Sequence, residues 1–327
     1  MHCSNYYYIE TQSKLAKLLV ENSCADKVFF ANSGAEANEG AIKLARIYFK
    51  KKGIADKFEI ITLENSFHGR TLATLAATGQ EKYQKPFSPL TPSFLRVPIN
   101  DLKALERAIN KTTCAVMIEP IQGESGVNPT TVEYMKGVRE ICDKNGLLLI
   151  FDEVQCGIGR TGKLFGYQHF GVEPDIFTLA KALGGGFPIG ALCAKDFVAK
   201  AFEPGDHGST FGGNPLACAA GLAVMDAIFS EKLVENSEKM GVYFVDKLSQ
   251  LKGKYGFITE IRGKGLMIGI ELSIKKAAEI KKKCFEKGYL VGAVGDNIIR
   301  MLPPLIVTTA DIDSLIKAFD DIFSEIE

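Results

Sequence analysis

Apolar positions along this chain follow two alternating patterns. Short unbroken runs rich in β-branched and aromatic residues recur at Val28 to Ala31, Phe58 to Leu63, Ala115 to Glu119, Leu147 to Phe151, Ile176 to Leu179 and Ala191 to Ala194. Runs of this length and composition read as buried strands. Between several of them the apolar residues take helical spacing instead. From Val132 to Asn145, Met135, Val138, Ile141 and Cys142 share one face, with Thr131 placed to cap and Gly146 to terminate. Strands alternating with helices predict an α/β domain with a mostly parallel sheet.

The pattern changes after Asn214-Pro215, a cap followed by proline in a first helical turn, where a long apolar helix runs to about Phe229. Downstream come an amphipathic segment from Ser237 to Leu251, strands around Phe257 to Ile261 and Leu266 to Leu272, a Lys-rich helix from Ala277 to Lys287 and a closing helix from about Thr309. The expected division is a large α/β domain over 1–217 and a smaller C-terminal α+β domain over 218–327.

Composition narrows the partners. The chain has 327 residues, 46% apolar and 24% charged, enough to bury a large core. Lys plus Arg and Asp plus Glu number 39 each, so no overall charge marks nucleic acid or an anionic membrane as a partner, and small molecules or other subunits are expected. The eight cysteines stand singly with no C-x-x-C pair and no leader-like stretch before them, which fits a reducing, cytoplasmic setting. Apolar stretches such as Leu147 to Phe151 and Ala217 to Met225 fall short of the roughly 20 residues that span a bilayer, so no membrane anchor is expected. The four histidines lack close metal-ligand spacing, and a metal mechanism is not expected.

Three strand ends carry candidate chemistry. The run Val28 to Ala31 leads into Asn32-Ser33-Gly34-Ala35-Glu36 and a helix, with capping-box spacing between Ser33 and Glu36. Such a turn presents backbone N–H groups and a positive dipole end to a phosphate, although a well-capped helix alone accounts for it. The run Leu147 to Phe151 delivers Asp152 to the edge where α/β sheets bind ligands. A carboxylate there needs a cationic partner, which a protonated pyridine nitrogen or a structural salt bridge would supply equally well. The run Asp175 to Ala180 ends in Lys181, followed closely by Gly184-Gly185-Gly186. A lysine so placed can serve as an amine nucleophile with space beside it, or be a solvated charge. A phosphate cradle, an acid for a ring nitrogen and a lysine amine together are what a pyridoxal phosphate site requires.

Eight segments in order along nearly the whole chain resemble the class-III aminotransferases of the aspartate-aminotransferase fold. They are Asn32 to Ala37, Phe67 to Thr71, Glu119 to Glu124, Phe151 to Gln155, Gly159 to Gly162, Leu179 to Lys181, Gly208 to Pro215 and Arg300 to Leu305. The resemblance implies a pyridoxal-phosphate-dependent transferase of fold type I. By it Ser33, Gly34 and Ala35 bind the cofactor phosphate, with Thr210 contributing from the other subunit of a homodimer. Phe67 and Val154 flank the pyridine ring, Asp152 holds its nitrogen protonated, Gln155 reaches the ring hydroxyl, and His68 and Glu153 belong to the cofactor-binding set. Lys181 forms the Schiff base and carries the substrate proton, giving a ping-pong transamination.

Within the family the pattern looks most like N-acetylornithine aminotransferases of arginine biosynthesis, which use 2-oxoglutarate. Succinylornithine and N-succinyl-diaminopimelate suit the same kind of site. The likeness implies that Arg70 binds a substrate carboxylate, Ser209 touches the acylated substrate and Arg300 clamps the α-carboxylate of glutamate, a task suited to guanidinium. Glu124 would neutralise Arg300 when an ω-amine occupies the site, or else merely cap a loop. Ornithine and 4-aminobutyrate aminotransferases share much of this apparatus and stay open as alternatives, as does an aminomutase. Family members carry several tens of residues before the segment that Met1 to Tyr7 resembles, so a chain that binds the cofactor with little turnover is a further alternative.

Overall fold

The computed structural model describes residues 2–326; Met1, the first residue of the opening segment, and Glu327 lie outside the described residues. Thirteen strands form among them: β1 (Lys27–Ala31), β2 (Glu59–Leu63), β3 (Phe94–Val97), β4 (Thr113–Ile118), β5 (Ile121–Gln122), β6 (Asn128–Pro129), β7 (Leu148–Asp152), β8 (Ile176–Leu179), β9 (Gly190–Ala194), β10 (Ile258–Lys264), β11 (Met267–Leu272), β12 (Gly292–Val294) and β13 (Ile298–Met301). They make a seven-stranded sheet in the order β1-β9-β8-β7-β4-β2-β3, a four-stranded sheet β10-β11-β13-β12 and the β5-β6 ladder.

The chain divides into two compact units, one of 1–120, 130–158 and 165–227, the other of 121–129, 159–164 and 228–327. The first holds the seven-stranded sheet. All its pairings are parallel except those of β9, which runs antiparallel to both β1 and β8. Two reversals restore the direction, so β1 points the same way as β8, and the carboxyl ends of every strand but β9 lie along one edge. β4, β7, β8 and β9 are fully buried, as strands covered on both faces must be.

Two helices flank β1 along the chain. The helix α1 (Glu10–Glu21) buries Leu15 and Leu19, and α2 (Gly34–Lys51) buries one long apolar stripe. Ala41, Ile42, Leu44, Ala45 and Phe49 of α2 pack in one cluster with Ile60, Met117, Leu148, Ile150, Ile176 and Leu192. Its first turn is thereby fixed against the strand ends.

The second unit packs the helices Leu233–Lys254, Ala277–Glu286 and Thr309–Ser324 on an antiparallel sheet, around Phe244, Leu248, Ile268, Ile270, Ile299, Phe319 and Phe323. The expected boundary at residue 217 differs from this division. It falls within the first turn of the helix Pro215–Ser230, and the units part at 227/228. Cys218 and Met225 of that helix are fully buried, so most of its length belongs with the core of the large unit.

Candidate active site

Ser33 adopts the extended backbone of a helix cap, and its Oγ accepts the N–H of Glu36 at 3.2 Å. The Glu36 carboxylate turns back one residue further than a capping box, taking both the backbone N–H (2.6 Å) and the side-chain amide (2.9 Å) of Asn32. Gly34 and Ala35 therefore open α2 with first-turn N–H groups that have no acceptor inside the helix. A Cβ on Gly34 would lie 2.8 Å from Val154 Cγ1 and 3.5 Å from Ala180 Cβ. The glycine lets the cradle close onto Val154, the residue after Asp152-Glu153, with Ala180, the neighbour of Lys181, at ordinary contact distance beside it. A substituted Gly69 would likewise meet Ala35 at 2.9 Å, which sets the Phe67 to Arg70 segment beside the same turn.

Asp152 ends β7 with only 3% of its surface exposed. Oδ2 accepts from Asn38 Nδ2 at 2.8 Å and lies 2.9 Å from His68 Nδ1, while Oδ1 accepts the Val154 N–H at 3.0 Å. With the carboxylate ionised, the proton of the His68 ring sits on Nδ1, and Nε2 is buried without a hydrogen-bond partner among the described residues. Asn38, 1% exposed, ties the group together. Its amide nitrogen also donates to the His68 carbonyl at 2.8 Å, and its amide oxygen accepts from Thr178 Oγ1 at 2.6 Å. Thr178 is the β8 residue opposite Asp152 in the sheet.

Sequence reasoning missed Asn38, Thr178, Glu119 and Tyr83. The signal for Asn38 was present, because helical spacing puts it in the stripe of Ala41 and Ala45. Replacing it with leucine leaves the Thr178 hydroxyl, the His68 carbonyl and an Asp152 oxygen short of a partner. Asn38→Leu is expected to cost about 2–4 kcal/mol of stability in chemical denaturation. A loss below 1 kcal/mol would refute this assignment.

Lys181 follows β8 by two residues and has φ 45°, left-handed backbone that a non-glycine residue adopts at some cost. The burial of Ala180 and Leu183 on either side holds it there. Phe67 is fixed through its backbone, whose N–H donates to Glu119 Oε1 at 2.7 Å. The ring of Phe67 meets Tyr83 edge-on at 5.8 Å, and the Arg70 guanidinium lies 4.0 Å from the Tyr83 ring centre. Ser209 Oγ accepts from Asn32 Nδ2 at 3.2 Å and from Gly212 N–H at 3.0 Å. Ser209 and Thr210 line a cavity of about 950 Å³ shared with Asn5, Tyr8, Phe29 and His207. Gln155, half-buried, follows Val154 in the turn after β7.

Glu153 is placed differently from Asp152. Its two oxygens accept the N–H groups of Gly166 (2.7 Å) and Tyr167 (2.6 Å), so its carboxylate anchors the turn Gly166–His169. Burial pushes its acid up from 4.5 to about 7 against the pull of those two donors. Because the folded form binds the proton more tightly, its share of stability is whole below pH 4.5 and is lost as pH rises through 7. The margin by which the native protein exceeds Glu153→Gln in thermal midpoint is expected to shrink from pH 5 to pH 8, the contribution lost being ~3 kcal/mol at most. A margin that widens over that interval would contradict this.

In the second unit, Arg300 on β13 and Glu124, which follows β5, form an ion pair at 3.1 Å between Nη1 and Oε1. The same Nη1 donates to the Gly123 carbonyl at 2.7 Å. This pair is the one expected to alternate between two substrates.

The model of the aminotransferase class-III family matches residues 1–323. The chain is a class-III aminotransferase. It is 57% identical over its full length to an acetylornithine aminotransferase of Caldanaerobacter subterraneus subsp. tengcongensis, covering 83% of that protein. The identity is 55% to an acetylornithine aminotransferase of Methanocaldococcus jannaschii, again over the whole chain and 82% of the relative. The crystal structure of the ornithine aminotransferase of Toxoplasma gondii superposes with a TM-score of 0.94 at 35% identity, over 99% of this chain and 80% of that one.

Class-III aminotransferases are pyridoxal-phosphate-dependent enzymes of fold type I, with the large parallel sheet and small antiparallel domain seen here. The residues present fit the cofactor. The Gly34 cradle, which a side chain would fill, suits a phosphate, and the buried, triply bonded Asp152 carboxylate suits a cationic ring nitrogen. No helix among the described residues of this aminotransferase is long and apolar enough to cross a membrane.

Proposed function

We propose that this aminotransferase transfers the δ-amino group of N2-acetyl-L-ornithine to 2-oxoglutarate, giving N-acetyl-L-glutamate 5-semialdehyde and L-glutamate. The observation that carries the substrate is identity above one half, over the whole chain, to acetylornithine aminotransferases. When bound, pyridoxal phosphate supplies an aldehyde that takes up the amino group and a ring that withdraws electrons from the reacting carbon.

The chain's own residues do the rest. Ser33, Gly34 and Ala35 hold the phosphate, Phe67 and Val154 flank the ring, and Gln155 meets its hydroxyl. Asp152 keeps the ring nitrogen protonated, and the hydrogen bonds from Asn38 and His68 hold its carboxylate in orientation. Lys181 Nζ would hold the cofactor and would move the substrate proton, as base and then as acid. Arg70, held against Tyr83, binds a substrate carboxylate, and Ser209 meets the acylated end. Arg300 clamps the α-carboxylate of glutamate, and Glu124 neutralises it during the ω-amine half-reaction. The protein works as a homodimer in which Thr210 reaches the partner's phosphate.

An ornithine aminotransferase is the second reading, favoured by the likeness to the Toxoplasma fold. A panel of acetylornithine, succinylornithine, N-succinyl-diaminopimelate, ornithine and 4-aminobutyrate as donors to 2-oxoglutarate separates them. Acetylornithine is expected to give the highest kcat/KM. Preference for free ornithine would establish the second reading, and a protein that binds cofactor but makes no glutamate would defeat both.

A further inference from the structure

A row of four residues crosses the small sheet. Arg262 on β10 stands opposite Gly269 on β11, which stands opposite Arg300 on β13, which stands opposite Gly292 on β12. Residues paired in this way project from the same face of a sheet, so arginine and glycine alternate along it. The β5-β6 hairpin lies against that face. Arg300 Nη1 bonds to Gly123 and Glu124 at one place, and Arg262 Nε donates to the carbonyls of Gly126 (3.2 Å) and Val127 (2.9 Å) at another. The glycine between the two arginines makes the approach possible, since a Cβ on Gly269 would lie 2.9 Å from the Gly126 oxygen.

The bend that Arg262 grips is strained. Val127 is β-branched and fully buried, yet has φ 60°. Such a conformation persists only where its surroundings over-determine it. Arg262 is itself held by Glu271 and by Glu260 at 2.7 Å, and its side chain is 11% exposed. Glu124 sits three residues before the strained bend.

We propose that Arg262 is a positioning residue for Glu124: it pins the bend at Gly126-Val127 so that the hairpin keeps Glu124 within ion-pair reach of Arg300. This rests on the role proposed above for Glu124 and Arg300. Arg262 touches no substrate. Its effect reaches the reaction through Glu124, and so falls on the ω-amine half-reaction, in which Arg300 must be neutralised, rather than on the glutamate half-reaction, in which Glu124 must withdraw.

The test follows each half-reaction of the holoenzyme separately by cofactor absorbance, with acetylornithine and with glutamate. Glu124→Gln is expected to raise KM for acetylornithine by about tenfold while leaving or lowering that for glutamate. Arg262→Met is expected to shift the two in the same directions, by about threefold or more for acetylornithine. Arg262→Lys, which keeps the charge but not the planar fork, is expected to fall between native and methionine. If Arg262 acts through Glu124, the double variant is no worse than Glu124→Gln by more than about twofold. Equal losses with both substrates, or multiplied effects in the double variant, would overturn the proposal while leaving the Glu124–Arg300 pair standing. No change in the substrate balance with Glu124→Gln would instead remove the pair's role, and this proposal with it.

Discussion

Lys181→Ala is expected to abolish turnover, with kcat falling by about 10⁴-fold or more while the far-ultraviolet circular dichroism stays native. Two functions are lost together. On the roles proposed for Lys181, the amine that would hold the cofactor disappears, and so does the group that would move the substrate proton, which alone contributes about 10²–10⁴-fold. The fold should survive, because Lys181 is exposed and the packing at this point comes from Ala180 and Leu183. Alanine keeps a Cβ and so carries the same cost at φ 45°. Lys181→Arg retains the charge and the backbone but offers no nucleophile at neutral pH, and is expected to be equally inactive. Initial rates of glutamate formation check both variants. Retention of more than a hundredth of native kcat by either would mean that another group carries the proton.

Asp152→Asn is the second large effect, with kcat expected to fall by about 10²–10³-fold. Removing an opposite charge near a titrating group moves its pKa by about 1–3 units, so the ring nitrogen loses its proton at neutral pH. The asparagine is nearly the same shape but adds a conflict. If its nitrogen takes the Oδ2 place it faces two donors, Asn38 Nδ2 and His68 Nδ1, and in the Oδ1 place it faces the Val154 N–H. At least one hydrogen bond is lost either way, at about 1–3 kcal/mol each. Kinetics and the pH titration of the bound cofactor's absorbance separate the electronic loss from the structural one. An unchanged titration with reduced kcat would show that Asp152 serves packing alone.

Much of the fold was visible in the amino-acid pattern because its central strands are buried on both faces and so lack polar interruptions. β7, β8 and β9 begin and end within a residue of the expected runs. Of the strands that escaped notice, β5 and β6 have two residues each, and the others are short and partly exposed. β3 stands at the sheet edge and carries Arg96, β12 has only three residues, and β13 is broken by Arg300 itself. The division at 227/228 was hidden because the helix Pro215–Ser230 is apolar on both sides of it.

The site divides in the same way. Ser33, Asp152 and Lys181 stood out as candidates because each closely follows an apolar run, where the sheet delivers side chains to one edge. Asn38 was not, because a lone polar residue on a helix is ordinarily exposed, and only its place in the buried stripe marks it. Glu153 adjoins Asp152 in sequence, but successive residues of an extended chain project to opposite sides, and its carboxylate goes to the Gly166 and Tyr167 backbone. The clamp by Arg262 joins residues 136 and 135 positions apart in the sequence, and no local pattern announces it.

The most direct test of the account is where the cofactor attaches. Borohydride reduction of the holoenzyme followed by peptide mass mapping is expected to find a single pyridoxyl adduct, on Lys181 in the peptide that follows β8, prevented when excess acetylornithine has first converted the enzyme to its pyridoxamine form. Labelling of a different lysine, or labelling of Lys181 that acetylornithine cannot prevent, would contradict it.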